Sequence, residues 1–311
     1  MSRPLTLLAS GAVAVMAFTG LTSCTPTSGR YISMIYSPAQ ITEQLDVVYG
    51  SAPSLPDRGN GQTTMTETLR LDIYKPANSA DAHRNRPAVM MVHGGGFKAG
   101  DKSQMADLAN EWARRGYVAL SVEYRTDDDN QCQKVQHELT TDPALILECE
   151  TALLAAQHDT QAAVRWARAR TATLGIDPTK VAVWGSSAGA VTAINVAYNS
   201  TNPGSSGTPG QSSKVQAIAA MSGAAYDTSI IGPGDSPVIQ AHNPADQAVL
   251  YSVAREGADV ALAKGLIVDF ITYRDTAPGT THAMGMYEAH KAELDTKVTA
   301  FFYEQLQLTQ T

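Results

Sequence analysis

Apolar residues recur along this chain with two different periods. In residues 67–74, Leu69, Leu71 and Ile73 alternate with Arg70, Asp72 and Tyr74, which is the period of a half-exposed strand. Residues 45–49 read as its antiparallel partner across a Pro/Gly/Asn-rich loop at 51–61. Residues 87–92, 117–122, 181–184, 215–221, 237–241 and 266–271 are near-continuous apolar runs, as expected of strands covered on both faces. Helical period separates them. Met105, Leu108, Ala109 and Trp112 share one face of 105–115, and Gly116 ends that stretch. Leu153, Leu154, Val164 and Trp166 supply the buried side of a helix at 150–172. Helices at 190–199, 245–264 and 284–306 complete the pattern. Two antiparallel strands followed by six buried strands alternating with helices predict an α/β domain: a mostly parallel eight-stranded sheet with helices on both faces. No internal repeat and no second domain is visible.

Two stretches break the alternation. Residues 126–148 form a long polar insertion, and 200–213 is a Gly/Ser/Pro loop of low complexity that reads as mobile. Composition adds little until the ends are considered. The chain has 311 residues, 43% of them hydrophobic, and a formal net charge of −7. No basic stripe exists, so nucleic acid is not an expected partner. Residues 1–23 carry one charge, Arg3, ahead of an apolar stretch too short to span a bilayer, and they read as a secretory leader. Leu21-Thr22-Ser23-Cys24 resembles a bacterial lipobox, so Cys24 is expected to be lipidated and to anchor an exported protein on the outer face of the membrane. Residues 24–44 then form a tether and N-terminal segment, and 45–311 the catalytic domain. Cys132 and Cys149 remain as an even pair bracketing the insertion. In an oxidising compartment they are expected to form a disulfide, the alternative being two free thiols.

The chemistry concentrates after four of the buried runs. The 181–184 strand runs into Gly185-Ser186-Ser187-Ala188-Gly189 and then a helix, the strand–turn–helix setting of a nucleophile elbow at Ser187. A serine needs a base, an orienting acid and a home for the oxyanion. His93-Gly94-Gly95-Gly96-Phe97 directly follows the 87–92 strand, so backbone N–H groups of Gly95 and Gly96, with that of Ala188, can converge on one oxygen. His93 itself reads as a brace for this loop. For the acid, Asp246 follows the 237–241 strand, with Asp235 and Asp269 as competitors. For the base, His282 lies between the last strand and the last helix. His290 reads as a surface residue two turns into that helix, and His242 sits at a strand end near the site. No zinc or calcium spacing is present, Asp127-Asp128-Asp129 reads as a solvated turn, and no cofactor is implied.

These motifs, in this order, resemble the α/β-hydrolase superfamily, specifically bacterial carboxylesterases and lipases of the hormone-sensitive-lipase group. Ser186 departs from that group's usual Asp and is closer to esterases acting on acetylated or feruloylated polysaccharides. The resemblance implies an α/β-hydrolase fold with little or no cap and the triad Ser187–Asp246–His282. It also implies a carboxylesterase acting on short-chain or polymer-borne esters. A prolyl-oligopeptidase-type peptidase and a catalytically inactive binding protein are the alternatives.

Overall fold

A computed structural model describes residues 25–55 and 65–310. The expected leader at 1–23, Cys24 and part of the 51–61 loop lie outside the described residues. In chain order the elements are β1 (Ile41–Pro53), β2 (Thr66–Pro76), β3 (Arg86–Val92), α1 (Ala106–Arg114), β4 (Val118–Val122), α2 (Cys132–Gln136), α3 (Pro143–Arg168) and α4 (Thr171–Leu174). There follow β5 (Ile176–Ser186), α5 (Ala188–Tyr198), β6 (Ala217–Met221), β7 (Val238–His242), α6 (Tyr251–Ala263), β8 (Val268–Thr272), α7 (Ala283–Ala289) and α8 (Lys291–Gln305). The strands form one eight-stranded sheet in the order β1-β2-β4-β3-β5-β6-β7-β8. β1–β2 and β2–β4 pair antiparallel and the remaining neighbours parallel.

The continuous apolar runs have a direct physical cause. Alternate residues of each central strand enter different cores, because successive side chains point to opposite faces. Val89, Met91, Trp184, Ala219 and Ile239 pack with Trp112, Tyr287, Val298 and Phe302 of α1, α7 and α8. Met90, Val92, Val183, Ile218 and Ala220 pack with Ala152, Ala163, Ala190 and Ile194 of α3 and α5. Both faces are covered, so no position on these strands can be polar without a partner.

Several boundaries differ from the sequence reading. α3 begins at Pro143, inside the expected insertion. The Asp142 side chain accepts from the Ala144 N–H and proline occupies the first turn, where its missing N–H costs nothing. β5 begins at Ile176, which pairs with Arg86, so the expected break at 175–178 is the start of the strand. α6 starts only at Tyr251, which leaves Asp246 on a loop. The last helix is interrupted at His290, which ends α7 and precedes α8.

The 200–213 loop is pinned, contrary to expectation. Arg165 donates to the carbonyls of Pro203, Ser206 and Thr208, and Arg168 donates to that of Ser212. Arg125, held by buried Asp159 at 2.9 Å, also donates to the Ser206 hydroxyl. The insertion is pinned as well, since a Cys132–Cys149 disulfide ties α2 to α3. From Arg30 onward the N-terminal segment is docked. Arg30 bonds to Asp81 at 3.0 Å, Arg86 holds the same carboxylate at 3.1 Å, and Tyr31 meets Tyr117 edge-on. No helix among the described residues is long and apolar enough to cross a membrane.

Candidate active site

The site lies where β3, β5, β6 and β7 end, on the carboxyl side of the sheet. Ser187 follows β5 directly and adopts φ 55, ψ −120, while its N–H donates to the Met221 carbonyl at 2.9 Å. A non-glycine residue in that region is strained, and the strain lifts the hydroxyl clear of both flanking elements. The turn closes only because its neighbours lack side chains. A Cβ on Gly185 would lie 2.1 Å from the Gly189 carbonyl oxygen, and one on Gly189 would lie 2.1 Å from that of Val92.

His282 and Asp246 meet Ser187 from two other loops. The Ser187 hydroxyl lies 2.8 Å from His282 Nε2. His282 Nδ1 lies 2.8 Å from Asp246 Oδ2 and 3.0 Å from Oδ1. Asp246 is 2% exposed, and its Oδ1 also accepts the N–H groups of Ala248 (2.9 Å) and Val249 (3.1 Å). Burial by itself would raise this carboxyl. The hydrogen bond and charge of His282 and the two backbone donors outweigh it, so Asp246 is held below the ordinary aspartate value. The competing carboxylates lie elsewhere. Asp235 caps its own loop through the Gly232 N–H, and Asp269 is exposed in the middle of β8.

The glycine loop after β3 faces the same point. Gly95 and Gly96 have φ 118 and 64, and a Cβ on Gly95 would lie 1.8 Å from the Ala99 carbonyl oxygen. Among the described residues nothing accepts from the N–H groups of Gly95, Gly96 or Ala188. His93 braces this loop. Its Nδ1 lies 2.8 Å from the Gly94 carbonyl, and its ring stacks on Tyr124, whose hydroxyl donates to the His93 carbonyl.

His290 is not a free surface residue: it stacks on Tyr273 and lies 2.6 Å from Asp275 Oδ2. His242 is fully buried behind Asp246, with Nε2 bonded to the Val249 carbonyl at 2.9 Å and 3.5 Å from the acid. It therefore fixes the acid loop and does not line the cleft. Ser222, which the sequence reading missed, has φ 57, and its buried hydroxyl accepts the Ala283 N–H at 2.9 Å, fixing the residue after His282. A polar residue at the carboxyl end of β6 is the signal that marks it. Two pockets meet at Ser187 and His282. One of about 440 Å³ is walled by the glycine loop and α2, and one of about 310 Å³ by Met105, Met284 and Gly285.

The structure superposes on a thermophilic esterase of Thermogutta terrifontis, Est2 with propionate bound, at a TM-score of 0.62 and 19% identity, covering 87% of this chain and 96% of that one. The chain has the α/β-hydrolase fold. The same Est2 phosphorylated by paraoxon matches at a TM-score of 0.59 and 20% identity, covering 82% and 94% of the two chains. The BD-FAE family model matches residues 71–139 and 147–227 of this chain, a region that holds the glycine loop and Ser187 but neither Asp246 nor His282. Chlorogenic acid esterase of Aspergillus niger is 30% identical over 138 residues, and secreted lipase 5 of Gibberella zeae is 27% identical over 139. Those alignments take in 42% of this chain and 24% of each relative, so the chain spans about a quarter of the length of the curated relatives it matches.

Proposed function

We propose that this chain, with its α/β-hydrolase fold, cleaves carboxylic esters through an acyl-serine intermediate. The observation that carries the reading is the continuous Ser187–His282–Asp246 hydrogen-bond chain facing three unpartnered backbone N–H groups. Ser187 Oγ attacks the ester carbonyl carbon while His282 Nε2 takes the hydroxyl proton. Asp246 keeps the remaining imidazole proton on Nδ1 and stabilises the imidazolium. The N–H groups of Gly95, Gly96 and Ala188 hold the tetrahedral oxyanion. Collapse expels the alcohol, which leaves with the proton from His282. Water then repeats the sequence on the acyl-serine and releases the acid.

The cleft is open at Gly95 and Gly96, which suits short acyl groups or esters carried on a polymer. The esterase and lipase names of its relatives point to the same chemistry. The test is hydrolysis of p-nitrophenyl acetate together with a fluorophosphonate probe and peptide mapping. Label on Ser187 and a loss on the order of 10³ or more in kcat for Ser187→Ala are expected. Label at Ser186, or an active alanine variant, would refute the assignment. We also propose export and lipid anchoring at Cys24, supported by Leu21-Thr22-Ser23-Cys24 and the polar stretch after it. Mass analysis of the mature N-terminus should find a lipid on Cys24, and an unlipidated terminus elsewhere would overturn this.

A further inference from the structure

The larger pocket beside Ser187 has a charge bias that ester hydrolysis alone does not require. Its lining includes Lys98 and Lys134 and no Asp or Glu, in a chain of formal net charge −7. Neither lysine makes an ion pair among the described residues. Other lysines do: Lys102 lies 3.0 Å from both Asp46 and Asp72, and Lys291 lies 2.8 Å from Glu111. The two pocket lysines come from separately fixed elements. Lys98 follows the glycine loop, its N–H donating to the Gly95 carbonyl at 3.0 Å, and Lys134 lies on α2, which the disulfide holds.

The amides on the α2 wall are mostly engaged already. Gln131 Nε2 donates to the Asp129 carbonyl at 3.1 Å, and Gln133 Nε2 to that of Gln247 at 3.3 Å. Gln136 differs, because its Nε2 is buried with no partner among the described residues. The Asp127–Asp129 run precedes this wall and contributes no lining residue. The side-chain donors of this lining left without partners are therefore the two exposed ammonium groups and the Gln136 amide N–H. The complement to such a set is an anionic group that only accepts, and a carboxylate fits it.

We propose that the larger pocket selects esters bearing a carboxylate on the part of the molecule it holds, with Lys98 and Lys134 as the specificity-determining cations. The proposal rests on the ester-hydrolase reading and adds a substrate class to it. Two substrate pairs test it whichever half of the ester the pocket holds. Mono-p-nitrophenyl glutarate against its methyl ester places the charge on the acyl side, and 4-acetoxybenzoate against methyl 4-acetoxybenzoate places it on the alcohol side. In one pair the wild-type enzyme should prefer the anion in kcat/KM, chiefly through KM. The anion/neutral ratio should fall roughly threefold for Lys98→Gln or Lys134→Gln and about tenfold for both, the scale of partly exposed ion pairs. The preference should shrink with added salt, as screening requires. Lys297→Gln, far from the pocket, should leave the ratio unchanged. Cleavage of neutral esters with a ratio that neither double substitution nor salt moves would overturn this proposal and leave ester hydrolysis standing. No cleavage of any of the four esters would overturn both.

Discussion

Replacing Asp246 by asparagine should disable the site while leaving the fold intact, and the hydrogen bonds around the carboxylate say why. Oδ1 accepts the N–H groups of Ala248 and Val249, and Oδ2 receives His282 Nδ1 at 2.8 Å. Asparagine keeps one acceptor and gains one donor. If its oxygen stays on the two backbone N–H groups, its NH₂ faces His282 Nδ1. That nitrogen must then accept, so the imidazole proton moves to Nε2, the atom 2.8 Å from the Ser187 hydroxyl. An Nε2–H cannot take the serine proton. The opposite flip sets the NH₂ against two backbone donors, which costs about 1–3 kcal/mol for each unsatisfied group, so the inactive tautomer is favoured. The expected loss is on the order of 10²–10⁴ in kcat, or about 3–5 kcal/mol of transition-state stabilisation, with KM little changed. The assay is steady-state hydrolysis of p-nitrophenyl acetate by Asp246→Asn, Asp235→Asn and Asp269→Asn, each first checked for folding by circular dichroism. Turnover of Asp246→Asn within tenfold of wild type, or a comparable loss in either other variant, would refute the reasoning.

Ser222→Ala removes the acceptor of the buried Ala283 N–H, so stability should drop by about 1–3 kcal/mol and kcat by roughly tenfold as His282 loses its register; unchanged turnover and melting temperature would contradict this. His93 and His242 are fully buried and both are held below the ordinary histidine value, burial being the largest cause. Below about pH 6.5 the unfolded chain takes up protons that these folded imidazoles refuse, so stability should fall with acid by up to about 1.4 kcal/mol per pH unit for each. Asp246, shifted downward, keeps its stabilising contribution throughout that window and loses it only as pH falls below about 4. A melting temperature that stays flat between pH 7 and 5 would count against this account. Reducing the Cys132–Cys149 bridge, which closes a loop of sequence separation 17, should cost about 3 kcal/mol and raise KM, since Cys132 also lines the larger pocket; two alkylatable thiols in the untreated protein would exclude the bridge.

Much of this is visible in the chain itself, for physical reasons. A strand covered on both faces must be apolar throughout, so β3 to β7 announce themselves, and the glycines around Ser187 mark a turn that no side chain could pass. Asp246 and His282 are picked out by the family stretches they resemble and by their order after Ser187, each on a loop past a strand's carboxyl end. What stays hidden depends on partners distant in sequence. Arg165 and Arg168 read as ordinary helix arginines until the 203–212 carbonyls are seen wrapped around them. The start of α3 escapes notice because Asp142-Pro143 looks like loop chemistry although it is also a capping sequence. Ser222 and His242 act by fixing neighbours, and nothing in their local sequence specifies which neighbours those are.

The docking of Arg30 places the N-terminal segment at one end of the sheet. Asp81, its partner, and Arg86, which shares that carboxylate, sit where β3 begins, whereas the glycine loop and Ser187 lie where the strands finish. Gln310 donates to the Arg30 carbonyl at 3.0 Å, so this chain segment near the other end of the sequence meets the first at the same pole. Seven residues of β3 separate that pole from the cleft, roughly 23 Å of strand. A bead or fused domain attached directly at either segment would meet the molecule at the amino-terminal ends of the strands, with the mouth of the cleft at the opposite ends. Substrates too bulky to slide beneath an immobilised protein can then reach Ser187 from the open side.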